Sequence, residues 1–203
     1  MAHMAEPFVT DVPVVLVAAG AEPAAGVQIT SVDQRGGARL ATGHLADLGH
    51  TRIGHIAGPE PWFDAIERVH GWRDELRDRR LRPGPLLRGD WTAASGYRLG
   101  QQLVRRGTPP TALFVANDLM AIGLLRALHE AGVRVPEDIS VVGFDDIPGV
   151  GHLIPRLTTV RQDLNALGHQ CIAMLLAELQ RTPGTFPLLE PTLIVRDSAR
   201  PPG

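Results

Sequence analysis

Short apolar runs rich in β-branched residues alternate along this chain with longer segments whose apolar positions recur every three or four residues. The first pattern predicts strands and the second predicts helices. Strands are expected at Val12–Val17, Arg52–Ala57, Leu86–Gly89, Ala112–Ala116, Ile139–Phe144 and Leu193–Val195. Helices are expected at Gly37–Leu48, at Phe63–Arg79, from a Thr92 cap to Arg106, at Asp118–Glu130, and from an Asp163 cap to Gln180. Gly49, Gly107 and Gly132 stand where a left-handed residue ends a helix, with Pro136 beyond the last of them.

Strand and helix in alternation, joined by turns of a few residues, predict a parallel sheet with helices on both faces. The strands are apolar throughout rather than alternating, as strands covered on both faces should be. The fold class is therefore α/β, a doubly wound parallel sheet. Residues 33–160 supply one complete sandwich. Residues 5–32 read as a strand-bearing remnant of a second, smaller unit, and residues 161–203 as a helix returning to that unit, Asp163 to Gln180, followed by a last strand.

Composition narrows the picture. The chain has 203 residues, 44% hydrophobic and 21% charged, ordinary for a globular protein with a buried core. Its net charge is −2, and all 20 basic residues are arginines interleaved with acids. That is not the one-sided basic surface of a DNA-binding domain. The densest basic run, Arg77 to Arg82, sits at a predicted helix end, where the helix dipole favours cations, and a phosphate contact is the other reading. Val12 to Gly20 is too short an apolar stretch to cross a bilayer, so no membrane partner is expected. Cys171 is the single cysteine, which rules out an internal disulfide. It reads as a small core residue in a cytoplasmic protein. Met1-Ala2-His3-Met4 reads as an expression-vector scar, and residues 1–4 are set aside.

In open parallel sheets, ligands bind beyond the carboxyl ends of the strands. Four strands here end in Gly58-Pro59, Asp90-Trp91, Asn117-Asp118 and Asp145-Asp146. Arg68 lies in the helix after the first of them and is placed to reach back to that edge. Carboxylates and amides accept from and donate to hydroxyls, an arginine donates to them, and an indole covers an apolar C–H face. The set suits a neutral polyhydroxylated ligand. Each member also has a structural alternative. Asn117 or Asp118 can cap the helix that follows, Trp91 can be a packing residue, Asp145 and Asp146 can close a turn, and Arg68 can be an ion-pair partner.

Catalytic motifs are missing. There is no phosphate-cradling glycine loop, no dinucleotide fingerprint and no G-x-S-x-G elbow. The histidines lack zinc-ligand spacing. No catalytic residue, metal or cofactor is expected, and the chain reads as a binding protein rather than an enzyme.

Several motifs in order resemble one family. They are Val32-Asp33-Gln34 with Gly37-Ala38-Arg39-Leu40-Ala41, Leu48-Gly49-His50, Ile56-Ala57-Gly58-Pro59, Arg68-Val69-His70-Gly71-Trp72, Gly89-Asp90-Trp91-Thr92, Phe114-Val115-Ala116-Asn117-Asp118, Val135-Pro136-Glu137-Asp138-Ile139-Ser140-Val141-Val142-Gly143-Phe144-Asp145-Asp146 and Leu157-Thr158-Thr159-Val160-Arg161-Gln162. Together they resemble the lactose-repressor (LacI) type of bacterial transcription regulator over Val12 to Ser198. The resemblance implies two periplasmic-binding-protein-like (type I) lobes, a small sugar-like effector in the cleft between them, a homodimer, and operator DNA held by a helix-turn-helix headpiece in the full-length protein. By position it implies effector contacts for Arg68, Asn117 and Asp145, stacking for Trp91, and places near the cleft for Asp33 and Gln162. It also implies that the headpiece and much of the first lobe are not among these residues, and that surface left by that lobe favours self-association. Gln34 departs from the asparagine common in the family, and Trp62-Phe63 add aromatic bulk at the rim. The helices Ser95–Arg106 and Asp118–Glu130 are candidate dimer surfaces. The alternative function is a sugar-binding protein of a transport system.

Overall fold

The computed structural model describes residues 12–21, 26–106, 110–182 and 184–203. The tag-like start and Gly107 lie outside them. Six strands form the main sheet: β3 (Ile53–Ala57), β4 (Leu86–Arg88), β5 (Ala112–Val115), β6 (Ser140–Asp145), β7 (Thr158–Arg161) and β8 (Thr192–Ile194), in the order β4-β3-β5-β6-β7-β8. All neighbours are parallel except β8, which returns antiparallel along β7. Helices α1 (Gln34–Asp47) and α2 (Phe63–Asp78) cover one face, and α3 (Ala93–Arg105) and α4 (Asp118–Glu130) cover the other.

Side-chain alternation along the strands builds two cores. On β5, Ala112 and Phe114 face the α1–α2 layer, with Trp72 and Leu76, while Leu113 and Val115 face the α3–α4 layer, with Leu124 and Leu128. Both sets are wholly or almost wholly buried. After β3 the chain steps to β4 on one side, then returns past β3 to β5 on the other. That reversal opens a crevice above the strand ends, and the crevice is where a doubly wound sheet receives a ligand.

A smaller unit stands beside this sandwich. Strands β1 (Val14–Val17) and β2 (Val27–Thr30) pair in parallel, and α5 (Leu164–Leu179) packs on them. Side-chain bonds from Gln28 to Glu178 and from Gln170 to Thr30, both 2.7 Å, tie strand to helix. Three crossovers connect the units: Ser31–Asp33, Gln162–Asp163 and the segment between α5 and β8, whose Leu189 bridges to Val32. The tail after β8 belongs to the main sheet: the Ser198 carbonyl accepts the Val141 N–H, and His50 holds the Arg200 carbonyl at 2.9 Å.

Two strands escape the periodicity argument. β2 carries Gln28 and Thr30, and β7 begins with two threonines, so neither is a continuous apolar run. Thr158 and Thr159 are nonetheless fully buried, because the Thr158 hydroxyl accepts the Arg196 N–H and the Thr159 hydroxyl donates to Asp118 on α4. Helix α1 also starts three residues before the expected Gly37. Asp33 caps it, accepting from the Gly36 N–H at 2.7 Å, and the poor helix formers Gly36 and Gly37 mask that first turn.

Candidate ligand site

Arg68 stands at the centre of the strand-end edge. It lies five residues into α2 and is 4% exposed. Its Nε–H donates to Gln34 Oε1 at 2.8 Å, and one Nη donates to the Ala116 carbonyl just past β5. Its other Nη is 3.6 Å from Asp145 Oδ1. The guanidinium carbon lies over the Phe144 ring, 3.8 Å from its centroid, and over the Trp91 ring at 5.5 Å. A buried guanidinium is tolerable only with such partners.

The crossovers complete the arrangement. Gln34 Nε2 donates to Gln162 Oε1 at 2.7 Å, and Gln162 Nε2 donates to Asp145 Oδ1 at 2.8 Å. Arg68, Gln34, Gln162 and Asp145 thus form a closed ring, with Gln162 on one crossover and Gln34 directly after another. Asp145 Oδ2 has no partner among the described residues. Burial pushes the Asp145 carboxyl above the usual carboxylate range, while Arg68 and Gln162 pull it back. Burial likewise lowers the Arg68 pKa, and Asp145, Asp64 and Asp118 oppose that. Beside Asp145 and Gln162 opens a cleft of about 760 Å³, shared with Asp146, Arg161, Asp163 and Thr192. That volume is in the range of small-molecule sites.

Trp91 adopts the left-handed backbone region, with φ 72°. Its ring lies over Gly58, where a Cβ would come within 2.2 Å of the indole. The exposed Trp62 meets it edge-on, with centroids 6.4 Å apart and planes at 86°. Asn117 supports this indole rather than the cleft. Its Oδ1 accepts the Met120 N–H and caps α4, and its Nδ2 donates to the Trp91 carbonyl at 3.0 Å.

Of the six residues singled out from sequence, Arg68, Asp145 and Gln162 share the ring, Trp91 faces it, and Asn117 fixes Trp91. Asp33 caps α1 and lines a separate groove of about 600 Å³ with Arg39, His44 and Arg79, so it does not join the ring. Outside those six, Gln34 closes the ring and Phe144 lies against Arg68. Phe144 reads as pure core in the sequence, and Gln34 is signalled by its place beside a crossover and by its departure from the asparagine common in the family.

Asp118 differs from both sequence readings. It is not the cap, which is Asn117. It is 0% exposed, with Oδ1 accepting the Thr159 hydroxyl at 2.6 Å and Oδ2 the Ile147 N–H at 3.0 Å. Burial pushes its carboxyl up to about 7, against those two bonds. His55 is also fully buried on β3, stacked on Phe114, and burial lowers it to about 3. It is a neutral core residue. Among the described residues no helix is long and apolar enough to cross a membrane, and no group of three or more His, Cys, Asp or Glu is placed to hold a metal.

Comparison with known proteins agrees with this architecture. Residues 42–199 match the model of the periplasmic binding protein-like domain. The lactose operon repressor of Escherichia coli (strain K12) is 44% identical over 140 residues, which are 69% of this chain and 39% of that protein. The chain therefore spans about two fifths of that relative's length. A solved structure of the dimeric lac repressor superimposes with a TM-score of 0.87 at 35% identity, covering 96% of this chain and 71% of that one. A structure of the transcriptional regulator CelR in complex with cellobiose gives 0.82 at 34% identity, covering 91% of this chain and 58% of the other. The chain belongs to the lactose-repressor family of transcription regulators, in the part that carries the periplasmic-binding-protein-like fold.

Proposed function

We propose that these residues are the effector-sensing part of a bacterial transcription regulator, and that the effector is a sugar or sugar derivative bound above the strand ends. The ring of Arg68, Gln34, Gln162 and Asp145, faced by Trp91, is the observation that carries this reading. It sets the Asp145 carboxylate and the Gln162 amide on the wall of an open cleft, with the Arg68 guanidinium beside Asp145 and the Trp91 indole facing that guanidinium, the groups that bind a polyhydroxylated ring. Asp145 accepts from hydroxyls, Arg68 holds Asp145 charged and oriented, and Trp91 covers the apolar face. Gln162, on a crossover, feels any ligand that competes for Asp145. The cellobiose in the related CelR complex supports a saccharide.

In the whole protein, such a ligand shifts operator affinity by favouring one lobe arrangement over the other, and only by its differential affinity for the two. A homodimer, operator DNA bound through a helix-turn-helix and a cytoplasmic setting complete the proposal. The exposed sides of α3 and α4 supply the dimer surface. No catalytic step is assigned.

Titrating tryptophan fluorescence and melting temperature with a panel of mono- and disaccharides, cellobiose and ribose included, tests the reading. A saturable response is expected from one or more sugars, lost in Trp91→Ala. A panel with no response in the wild-type chain, or a response unchanged by Trp91→Ala, rejects a sugar at this edge.

A further inference from the structure

The strand that presents Asp145 ends in a backbone that side-chain-bearing residues seldom adopt. φ is 111° at Asp145 and 53° at Asp146. Two such residues in succession persist only when their surroundings over-determine them. Asp146 is held from outside the sandwich, its two oxygens bonded to Arg161 at 2.7 Å and Arg196 at 2.6 Å. The next residue, Ile147, is held from inside. Its N–H donates to Asp118 Oδ2 at 3.0 Å, and Asp118 is 0% exposed.

Asp118 has no other evident task. Asn117 already caps α4. An acid in a first helical turn gains from the helix dipole, but it gains that on the surface without the cost of desolvation. Here the carboxyl is instead built into the sheet. Thr159 on β7 donates to its Oδ1 at 2.6 Å, and β6 passes so close that a Cβ on Gly143 would lie 2.2 Å from the same oxygen. Gly143 and Thr159 are register partners. One side chain thus fastens α4, β6, β7 and the turn after β6 to each other.

We propose that Asp118 is a positioning residue for the effector site: clamped by Thr159 and seated against Gly143, it pins the Ile147 amide and so fixes the turn that aims Asp145 into the cleft. Asp118 touches no ligand. This inference rests on the effector reading of the cleft, and its test separates the two.

Three variants of the chain are compared with the wild type: Asp118→Ala, Asp118→Asn and Thr159→Val. Asparagine keeps an oxygen for the Ile147 N–H and offers an N–H to the Thr159 hydroxyl, so it restores the pin. Alanine removes it. Thr159→Val frees the carboxyl to swing while leaving it in place, and serves if Asp118→Ala does not fold. Two readouts need no ligand: hydrogen exchange at the Ile147 amide and the side-chain carboxyl 13C shift of Asp145. The third is cellobiose or ribose affinity by fluorescence. Asp118→Ala is expected to speed Ile147 exchange and weaken sugar binding, each by about tenfold, as the loss of one buried hydrogen bond implies. It is also expected to move the Asp145 shift. Thr159→Val moves the same signals less far, and Asp118→Asn returns all three towards wild type. If Asp118→Ala or Thr159→Val lowers only the melting temperature and leaves the Ile147 and Asp145 signals unchanged, the inference is overturned. If those signals respond but no sugar binds even the wild type, positioning of Asp145 stands and the sugar reading falls.

Discussion

Arg68 and Asp118 are buried ionisable groups a short distance apart, and their surroundings treat them differently. Burial works against the Arg68 charge, and Asp145, Asp64 and Asp118 oppose that, while its N–H groups are taken up by Gln34 and the Ala116 carbonyl. Asp118 has no cation within bonding reach, and Asp145 and Asp146 repel its charge further. Its carboxyl therefore holds a proton up to about pH 7, whereas in an unfolded chain it loses that proton near pH 3.8. Between those values the unfolded state binds fewer protons, so this group lowers stability as pH rises, by at most about 1.4 kcal/mol per pH unit. His55 contributes the opposite slope over part of the range, since its folded pKa is depressed. The difference between wild type and Asp118→Asn isolates the aspartate. Urea unfolding from pH 4 to 7 should show the variant gaining on the wild type as pH rises. Parallel stability curves would mean that Asp118 is ionised throughout.

Where helices meet, glycines set the distance. A Cβ on Gly123 would lie 1.8 Å from the Ala93 carbonyl oxygen, and one on Gly96 would lie 2.0 Å from that of Met120. Helices α3 and α4 therefore touch backbone to backbone, and α4 carries both Asn117 and Asp118 at its start. Gly123→Ala is expected to destabilise the chain by about 2–3 kcal/mol in urea unfolding, although alanine is the better helix former. A neutral or stabilising result would show that the two helices can separate freely. Elements of this kind are legible in sequence because their periodicity is strong: α2 and α4 begin and end within a residue of the expected positions. β2 and β7 are not legible, because they carry glutamine or threonine in place of apolar residues and bury the threonines through bonds to partners far away in the chain. The site divides in the same way. Strand-end logic finds Trp91 and Asp145 because each directly follows or ends an apolar run. Phe144 becomes a site residue through its tertiary contact with Arg68, and no local pattern marks it, whereas Gln34 is marked only by the family resemblance.

At the scale of the whole molecule, two of the apolar surfaces left open among the described residues differ in kind. Leu164, Ile172, Leu176 and Leu179 form one exposed stripe along α5, whose opposite side packs on β1 and β2. A helix apolar on both sides is one built to be covered twice. On the far side of the main sheet, Ile154 is 100% exposed beside Leu125, Val133, Val135 and Pro155, at the end of the α3–α4 layer. Charged pairs such as Arg134–Asp138 and Arg156–Asp197 lie close by, bonded within the chain. A small apolar patch with a polar rim suits a specific symmetric contact, whereas a long bare stripe favours association without a defined end. Sedimentation over a range of concentrations should therefore separate them. Ile154→Glu is expected to convert a dimer to a monomer, and Ile172→Glu with Leu176→Glu to remove larger species while leaving the dimer. Loss of the dimer in the α5 double variant, with Ile154→Glu still dimeric, would move the symmetric contact from the α3–α4 side to the small unit. The lobe arrangement proposed to answer to effector would then lie at the dimer interface itself.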